Sequence, residues 1–409
     1  MIRPWAVLFG LWVGTAGLAA DSLDSLFDTV NSDTVVSPSD TGPKVNGLDR
    51  PVFLYFGNVE TQGIVGSGWN EANPDVPVSS LYFFLHFQGG IDVQPIPQAR
   101  LVGTFSTYLP QGISSSIIDN IRNGTTQSGA VTTTTTTSNT NQTLSLDELF
   151  LDYTIYDSAF FRIGKFTQTW GYGHLFNPGN LVSDTSDGVN LKGFIATGPF
   201  AFTGMVIANP SFFADTSDPQ ADEMGYAGSL GFTQGLFTGS LSAYKQRSEG
   251  TKLDAALKTS FLGLDLYSEF LGYQNPADDS WWPGLLAGAY YQLKTDWSWK
   301  LLAEYWLDGS TFSKTPNRSV GLGAISDPIT KDLDLRFNIK WYQSIEDKSG
   351  QVVWGVDCTP LPKLDLALGI PWTYGPADGY FVTGNTDPKK RYLSALLTIT
   401  VKFDFEKAR

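Results

Sequence analysis

The sequence predicts an all-β fold, a transmembrane antiparallel β-barrel of about eighteen strands, with sixteen as the alternative count. Three observations carry the prediction. Apolar and polar residues alternate along most of the chain, which is the period of a strand whose two faces meet different surroundings. Tight turns alternate with mostly longer connections, as in a barrel whose short turns all lie on one side. A segment with the layout of an export signal precedes the strands.

The composition excludes several other classes of protein. The chain has 409 residues, of which 42% are hydrophobic and 17% charged, against about 25% charged in ordinary soluble domains. A net charge of -14 argues against a nucleic-acid partner, because phosphate binding needs a basic face. The lone Cys358 excludes an internal disulfide, and His86 and His174 are too few for a Cys/His zinc site. The sequence indicates no cofactor, no metal site and no enzymatic function.

Residues 1–20 have the layout of a cleaved signal peptide. Arg3 precedes an apolar run from Trp5 to Gly14, and small residues follow up to the expected cleavage after Ala19 or Ala20. The alternative is a transmembrane anchor, but the run is shorter than the ~20 residues that a spanning helix needs. The remaining chain is predicted to comprise an acidic periplasmic linker or plug at 21–51, the barrel at 52–405 and a short periplasmic tail at 406–409.

Alternation is clearest in two late segments. Leu333, Leu335 and Phe337 begin one apolar face, and a second face runs from Leu393 to Phe405. We predict strands at 52–66, 81–93, 98–109, 145–155, 159–171, 189–198, 201–209, 225–234, 236–247, 252–262, 264–275, 285–294, 297–309, 318–325, 332–344, 351–360, 364–374 and 391–405. The alternation is weakest at 201–209, 225–234 and 318–325, so sixteen strands is the alternative.

A soluble two-sheet domain or a β-helix would also show alternation. The membrane barrel is favoured because Trp297, Trp299, Tyr305 and Trp341 lie on the apolar face near strand ends, as girdle residues at a membrane interface do. Closing the sheet also removes edges whose backbone groups lipid would leave unsatisfied.

One segment resembles the outer-membrane porins of Gram-negative bacteria. In Phe161–Asn180 a strand with Arg162 and Gly164 leads into Trp170-Gly171 and then Asn177-Pro178. The resemblance implies a porin-like fold and passive transport.

The two chain ends carry further likenesses. The last strand, with Phe403 and Phe405, resembles the aromatic-ended signal that the barrel assembly machinery recognises, although Glu406–Arg409 follow it here. The acidic start Asp21–Phe27 is similar to that of some spirochaete outer-membrane barrels.

We therefore expect a channel in the cell outer membrane for passive diffusion of small hydrophilic solutes. Its expected partners are outer-membrane lipid, the assembly machinery and small polar solutes, with no nucleic acid. Two alternatives remain: a surface-exposed adhesin barrel with a closed or narrow pore, and a transporter of hydrophobic solutes.

Polar faces opposite the apolar ones would line the pore. The predicted pore-lining residues are Asp92, Arg100, Glu148, Asp152, Arg162, Lys192, Asp254, Lys258, Asp265, Glu269, Lys300, Glu304, Asp334, Arg336 and Lys340. They predict a polar, mildly acidic lumen with a slight preference for cations or neutral solutes, or else salt-bridged rungs with no selectivity. Loop 172–188 is a candidate constriction, through Tyr172, His174, Phe176, Asn177, Asp184 and Asp187; its alternative is an ordinary exposed loop.

Overall fold

A computed structural model describes much of the chain after the predicted linker. The described residues are 52–70, 78–109, 144–155, 159–182, 188–208, 223–293, 298–312, 316–330, 332–376, 379–381 and 392–408. The predicted signal peptide, the linker or plug segment, Asp184 and Asp187 lie outside the described residues.

The described residues form eighteen strands. They are β1 (Val52–Asn70), β2 (Val78–Ile96), β3 (Ala99–Leu109), β4 (Ser145–Ile155), β5 (Ala159–Lys165), β6 (Val189–Thr197), β7 (Phe200–Ala208), β8 (Gly225–Gln234), β9 (Phe237–Gln246), β10 (Gly250–Phe261), β11 (Leu264–Gln274), β12 (Trp281–Leu293), β13 (Trp299–Asp308), β14 (Asn317–Ser326), β15 (Arg336–Ser344), β16 (Gly350–Leu361), β17 (Leu364–Tyr374) and β18 (Tyr392–Ala408).

The strands close into one antiparallel barrel. Each strand pairs with the strands that precede and follow it in the chain, and β1 pairs with β18 from Leu54 opposite Ala408 to Asn70 opposite Tyr392. Closure leaves no strand edge with unpaired backbone groups, which a bilayer requires of any spanning sheet.

The predicted count of eighteen strands is confirmed, and sixteen is excluded because the three weak segments form β7, β8 and β14. Several predicted bounds differ from the observed ones, and three of these differences have a clear physical cause. Strand β5 ends at Lys165 rather than 171, since the chain leaves the wall after Gly164, whose φ is 135°. Strand β15 begins at Arg336 rather than 332, because Asp334 lies in the preceding turn with a φ of 46°.

The third difference concerns the end of the chain. Strand β18 continues to Ala408, so residues 406–408, predicted as a tail, belong to the last strand. They pair with the first residues of β1, where Glu406 lies opposite Phe56. The last strand is longer than predicted because β1 begins early enough to pair with it.

The two faces of the barrel wall differ in chemistry. On β11 the inward residues Tyr267 and Glu269 are 3% and 0% exposed, whereas the outward Leu266 and Phe270 are 46% and 62% exposed. The same exposure of Leu, Ile, Phe and Trp recurs on the outer face of most strands. A continuous apolar exterior of this kind is a surface for hydrocarbon rather than for water.

The two ends of the barrel also differ. The connections β2–β3, β6–β7, β8–β9, β10–β11 and β16–β17 are two-residue turns; we call their side, where both chain ends of the barrel lie, the turn end. The opposite side carries the connections after β1, β3, β5 and β7, which are longer, and we call it the loop end.

Among the described residues, no helix is long and apolar enough to span a bilayer.

Candidate functional site: the barrel interior

A segment between β5 and β6 lies inside the barrel; we call its described part, residues 166–182, the inner loop. It leaves the wall at the end of β5, and Phe166 and Val182, near its two ends, are each 1% exposed. The inner loop therefore packs against the wall instead of extending from the loop end into solvent.

Glu269 of β11 anchors one part of the inner loop. Its Oε1 accepts hydrogen bonds from the backbone N–H groups of Tyr172 and Gly173, the latter at 3.1 Å. Its Oε2 accepts one from the N–H of Gly179 at 3.0 Å. A fully buried carboxylate is costly unless donors surround it, and here the loop backbone supplies those donors.

Glu304 of β13 anchors the tip of the loop in the same way. Its Oε1 accepts the N–H of His174 at 2.6 Å, and its Oε2 accepts those of Leu175 and Phe176 at 3.0 and 2.7 Å. The hydroxyl of Tyr267 donates to the same carboxylate at 2.6 Å. Hydrogen bonds to a charged acceptor are roughly twice as strong as neutral ones.

The positions of the anchors show that the loop crosses the lumen. In a closed ring of eighteen strands, β13 lies eight places from β5 (13 minus 5) and seven from β6 (13 minus 6), and the largest possible separation is nine. The loop therefore runs from one side of the barrel to nearly the opposite side.

Two glycines allow the loop backbone to approach its anchors. A Cβ on Gly179 would lie 2.5 Å from Oε2 of Glu269, and a Cβ on Gly173 would lie 1.7 Å from the carbonyl oxygen of Phe176. Neither distance is compatible with a side chain, so this loop conformation requires glycine at both positions.

Apolar and aromatic contacts hold the loop tip against the wall. Leu175 and Phe176 lie over Gly321 of β14, where an added Cβ would come within 3.0 Å of both side chains. The ring of Phe176 packs edge-on against Tyr342, with ring centres 5.7 Å apart. The ring of His174 meets Tyr267 at 5.3 Å, nearly perpendicular.

Burial fixes the charge state of two side chains on the loop. It disfavours the phenolate and raises the pKa of Tyr172 to about 12, with a further increase from the nearby Glu269 and a partly offsetting hydrogen bond from Ser240. Burial, and then the positive charge of Lys258, lower the pKa of His174 to about 4. Both side chains are therefore neutral at physiological pH.

A second segment, after β17, reaches the interior, and the sequence did not predict it. The Tyr380 hydroxyl donates to Oδ2 of Asp308 on β13 at 2.7 Å, and its backbone N–H donates to Asp347 at 2.6 Å. The ring of Phe381 lies 6.1 Å from that of Tyr342, which also contacts Phe176. The sequence held no local signal for this contact, because Tyr380 lies in a long connection without alternation.

Six ion pairs lie on the inner face at the turn end or in the adjoining turns; we call them the ion-pair girdle. They are Arg100–Asp92, Arg162–Asp152, Lys258–Asp265, Lys300–Asp327, Arg336–Asp334 and Lys402–Asp365. Most of their side chains are only partly buried, as with Lys258 and Asp265 at 23% and 20% exposed. Solvent therefore reaches the inner wall at this end.

Arg162 has the most elaborate surroundings in the girdle. Its guanidinium makes two hydrogen bonds to Asp152, at 2.7 and 3.0 Å, and its centre lies 4.0 Å from the centre of the Phe150 ring. Lys192 lies directly opposite Arg162 on β6 and donates to the side chain of Gln168 at 2.5 Å. This cluster joins the wall to the start of the inner loop.

The structure places nearly all of the predicted site residues in the interior. The inward-facing ones on strands are Asp92, Arg100, Glu148, Asp152, Arg162, Lys192, Asp254, Lys258, Asp265, Glu269, Lys300, Glu304, Arg336 and Lys340. Asp334 lies in a turn instead of on a strand. Tyr172, His174, Phe176 and Asn177 lie in the inner loop. At the chain end, Phe403 faces outward at 57% exposure, and the side chain of Phe405 is not described.

No protein-family model matches the chain, and no curated protein matches its sequence. Solved structures do resemble it. Pseudomonas aeruginosa OccK9 (OpdG) superimposes with a TM-score of 0.51 at 9% identity, covering 86% of this chain and 98% of that one. OpdK of the same organism, solved with vanillate, gives 0.50 at 8% identity, covering 86% and 99%. A BenF-like porin from Pseudomonas fluorescens Pf-5 gives 0.50 at 8% identity, with the same coverage.

These similarities define a class of fold: the chain folds as a porin-like barrel. At identities of 8–9% they show the fold alone. The likeness of residues 21–27 to spirochaete barrels finds no support in these comparisons, and those residues lie outside the described part of the chain.

Proposed function

We propose that the protein is an outer-membrane channel through which small hydrophilic solutes diffuse passively, driven by their own gradient. The observation that carries the proposal is the combination of an apolar exterior with a charged interior that solvent reaches. A barrel that served only as a scaffold for surface loops would gain nothing from partly exposed ion pairs on its inner wall.

The inner loop serves in this proposal as the constriction. It crosses the lumen and is held by Glu269 and Glu304, so the widest solute that passes is set by the space between the loop and the uncovered wall. The loop's own hydrogen bonds to buried carboxylates support a fixed aperture rather than a gate. The predicted constriction residues Tyr172, His174, Phe176 and Asn177 belong to this segment, and we propose that Asp184 and Asp187 contribute to the constriction as well.

We propose a slight preference for cations or neutral solutes. The girdle is neutral because each base in it has an acidic partner. Outside the girdle, the predicted pore-lining set has four inward acids, Glu148, Asp254, Glu269 and Glu304, and two inward bases, Lys192 and Lys340. Glu269 and Glu304 are partly compensated by the N–H donors of the loop. The surplus of negative charge is therefore small, and so is the selectivity that it produces.

The proposed partners are outer-membrane lipid on the exterior, the assembly machinery that would read the strand ending in Phe403 and Phe405, and small polar solutes within. Neither an enzymatic role nor a cofactor is proposed. The resemblance to OpdK, whose structure was solved with vanillate, makes an aromatic acid a useful probe solute beside neutral ones.

Liposome swelling tests the proposal. Vesicles containing the purified barrel are diluted into neutral sugars of increasing size, into an amino acid and into vanillate. The proposal predicts fast swelling with the smallest solutes and a steep loss of rate with size. Swelling no faster than in protein-free vesicles would favour the closed adhesin barrel, and entry restricted to apolar solutes would favour the hydrophobic-solute transporter.

A further inference from the structure

The outer face of the barrel carries a groove that channel function does not use. It has a volume of about 1130 Å³ and crosses the strands from β5 to β12. Its floor is a row of directly paired small residues, Gly193, Gly204, Gly228 and Ala243, on four consecutive strands. Apolar side chains border it, among them Phe202 and Leu241, which are 48% and 57% exposed.

The centre of this groove is bare, unlike the surroundings of other outward glycines. Phe83 covers Gly63 and Phe105 covers Gly89, each at 2.8 Å from the position of an added Cβ. At the ends of the groove, Phe161 lies at 3.5 Å from Gly193 and Trp281 at 3.4 Å from Gly272. By contrast, nothing lies within 4 Å at Gly204, and only a backbone oxygen lies at 3.9 Å from Gly228.

A lysine stands beside the groove at the loop end. Lys245 is exposed on the outer face of β9, two residues beyond Ala243, and it lies opposite Tyr226, which is 44% exposed. Among the described residues, no acidic group lies within ion-pair distance of its ammonium. A lysine on the lipid face is tolerated near the membrane interface.

The dimensions of the groove suit a narrow occupant. A row of residues across four strands spaced by about 4.8 Å is roughly 14 Å long. Each row of outward residues occupies about 7 Å along the strand direction, which sets the width of the groove floor. An α-helix with its side chains is about 10–12 Å across and does not fit. A single acyl chain does, and the ammonium of Lys245 complements a phosphate.

We propose that this groove binds one acyl chain of an anionic lipid whose phosphate lies on Lys245. The inference goes beyond the channel, although it requires that the barrel stand in a membrane. The apolar floor between Gly193 and Ala243 takes the chain, and Lys245 favours a lipid with a net negative head group over a zwitterionic one.

Native mass spectrometry of the whole barrel, released from detergent containing phosphatidylglycerol or phosphatidylcholine, tests the proposal. The wild type is expected to retain one phosphatidylglycerol in preference to phosphatidylcholine. Gly204→Leu fills the floor and is expected to retain about tenfold less, a change equivalent to about 1.4 kcal/mol. Lys245→Gln removes the preference between the two lipids, and Lys245→Arg keeps it.

Matched controls separate the outcomes. Ala303→Leu adds a similar side chain to the outer face of β13, outside the groove, and should retain lipid as the wild type does. Gly228→Leu repeats the test if the Gly204 variant does not fold. If the filled variants retained as much phosphatidylglycerol as the wild type, the proposal would be overturned. A changed oligomer mass would also overturn it, because the groove would then be a contact between copies of the chain.

Conductance is measured on the same preparations to test channel function separately. A barrel that conducts ions but retains no lipid would overturn the lipid proposal and leave the proposed channel function standing.

Discussion

The backbone N–H of Phe176 donates a hydrogen bond to Oε2 of Glu304 at 2.7 Å, although β5 and β6, which flank the loop of Phe176, lie nearly opposite β13, which carries Glu304. This contact, with the N–H groups of His174 and Leu175 on the same carboxylate, fixes where the inner loop crosses the lumen. The width of the proposed channel therefore depends on a side chain far from the loop in sequence.

Replacing Glu304 by alanine should release the loop tip. Each hydrogen bond to a charged group contributes about 1.5–3 kcal/mol, and water can replace only part of that. We expect a larger and noisier single-channel conductance from an intact barrel. Glu346→Ala is the control, because Glu346 pairs with Arg318 away from the lumen. Unchanged conductance in the Glu304 variant would show that the loop does not restrict the channel.

Gly173→Ala should displace the same loop without removing any charge. The new methyl group would collide with the carbonyl oxygen of Phe176, 1.7 Å from its ideal position, so the backbone must move away from Glu269. Hydrogen exchange should show faster exchange of the backbone amides of residues 172 and 173. Gly204→Ala, where an added Cβ meets nothing within 4 Å, should leave that exchange unchanged; equal protection in both variants would contradict the assigned role of Gly173.

Charge balance in the girdle should control ion selectivity through Arg162. Arg162→Gln leaves Asp152, which is 7% exposed, without its cation, so permeability should shift toward cations. Asp152→Asn should shift it toward anions, and the double variant should return close to the wild-type ratio. Reversal potentials under a KCl gradient measure the cation-to-anion permeability ratio. The shifts should shrink in concentrated salt, because the Debye length falls from about 10 Å at 0.1 M to about 3 Å at 1 M. Equal ratios in all four proteins would place these residues off the ion path.

His174 should make the stability of the inner loop in its observed position sensitive to acid. Its pKa falls from 6.5 to about 4 because burial, and then Lys258, disfavour the imidazolium. The contribution of the neutral His174 to the stability of the folded protein is therefore complete above pH 6.5. It is lost progressively as the pH falls toward 4, because the histidine of the unfolded chain binds a proton more readily than the buried one. Between those pH values, the thermal midpoint of the wild type should fall more steeply than that of His174→Phe. Parallel profiles would contradict this assignment.

The strand pattern was predictable because a barrel wall imposes a two-residue period on every strand. Lipid and lumen differ in polarity at each position, so even the weak segment through Val320 and Leu322 was detectable as β14. The end of β5 was not predictable, because Gly164 interrupts the alternation and the sequence beyond it remains compatible with a strand.

The interior was predictable only in part. Alternation placed Glu269 and Glu304 on the inward face, but it could not tell that both carboxylates accept loop N–H groups, since those contacts join residues that are between 90 and 130 positions apart. Tyr380 was missed for the same reason. Pairing within the girdle was partly foreseeable, because Asp152 and Arg162 belong to β4 and β5, which are separated by only three residues in the sequence.

Planar-bilayer recording of the purified wild-type protein tests whether the lumen is water-filled. Each insertion should produce a steady, ohmic step of current, and the Glu304→Ala variant should enlarge that step. A protein that inserts into the bilayer but carries no current would contradict a water-filled lumen. A protein that stays monodisperse in buffer without detergent would contradict the membrane barrel itself.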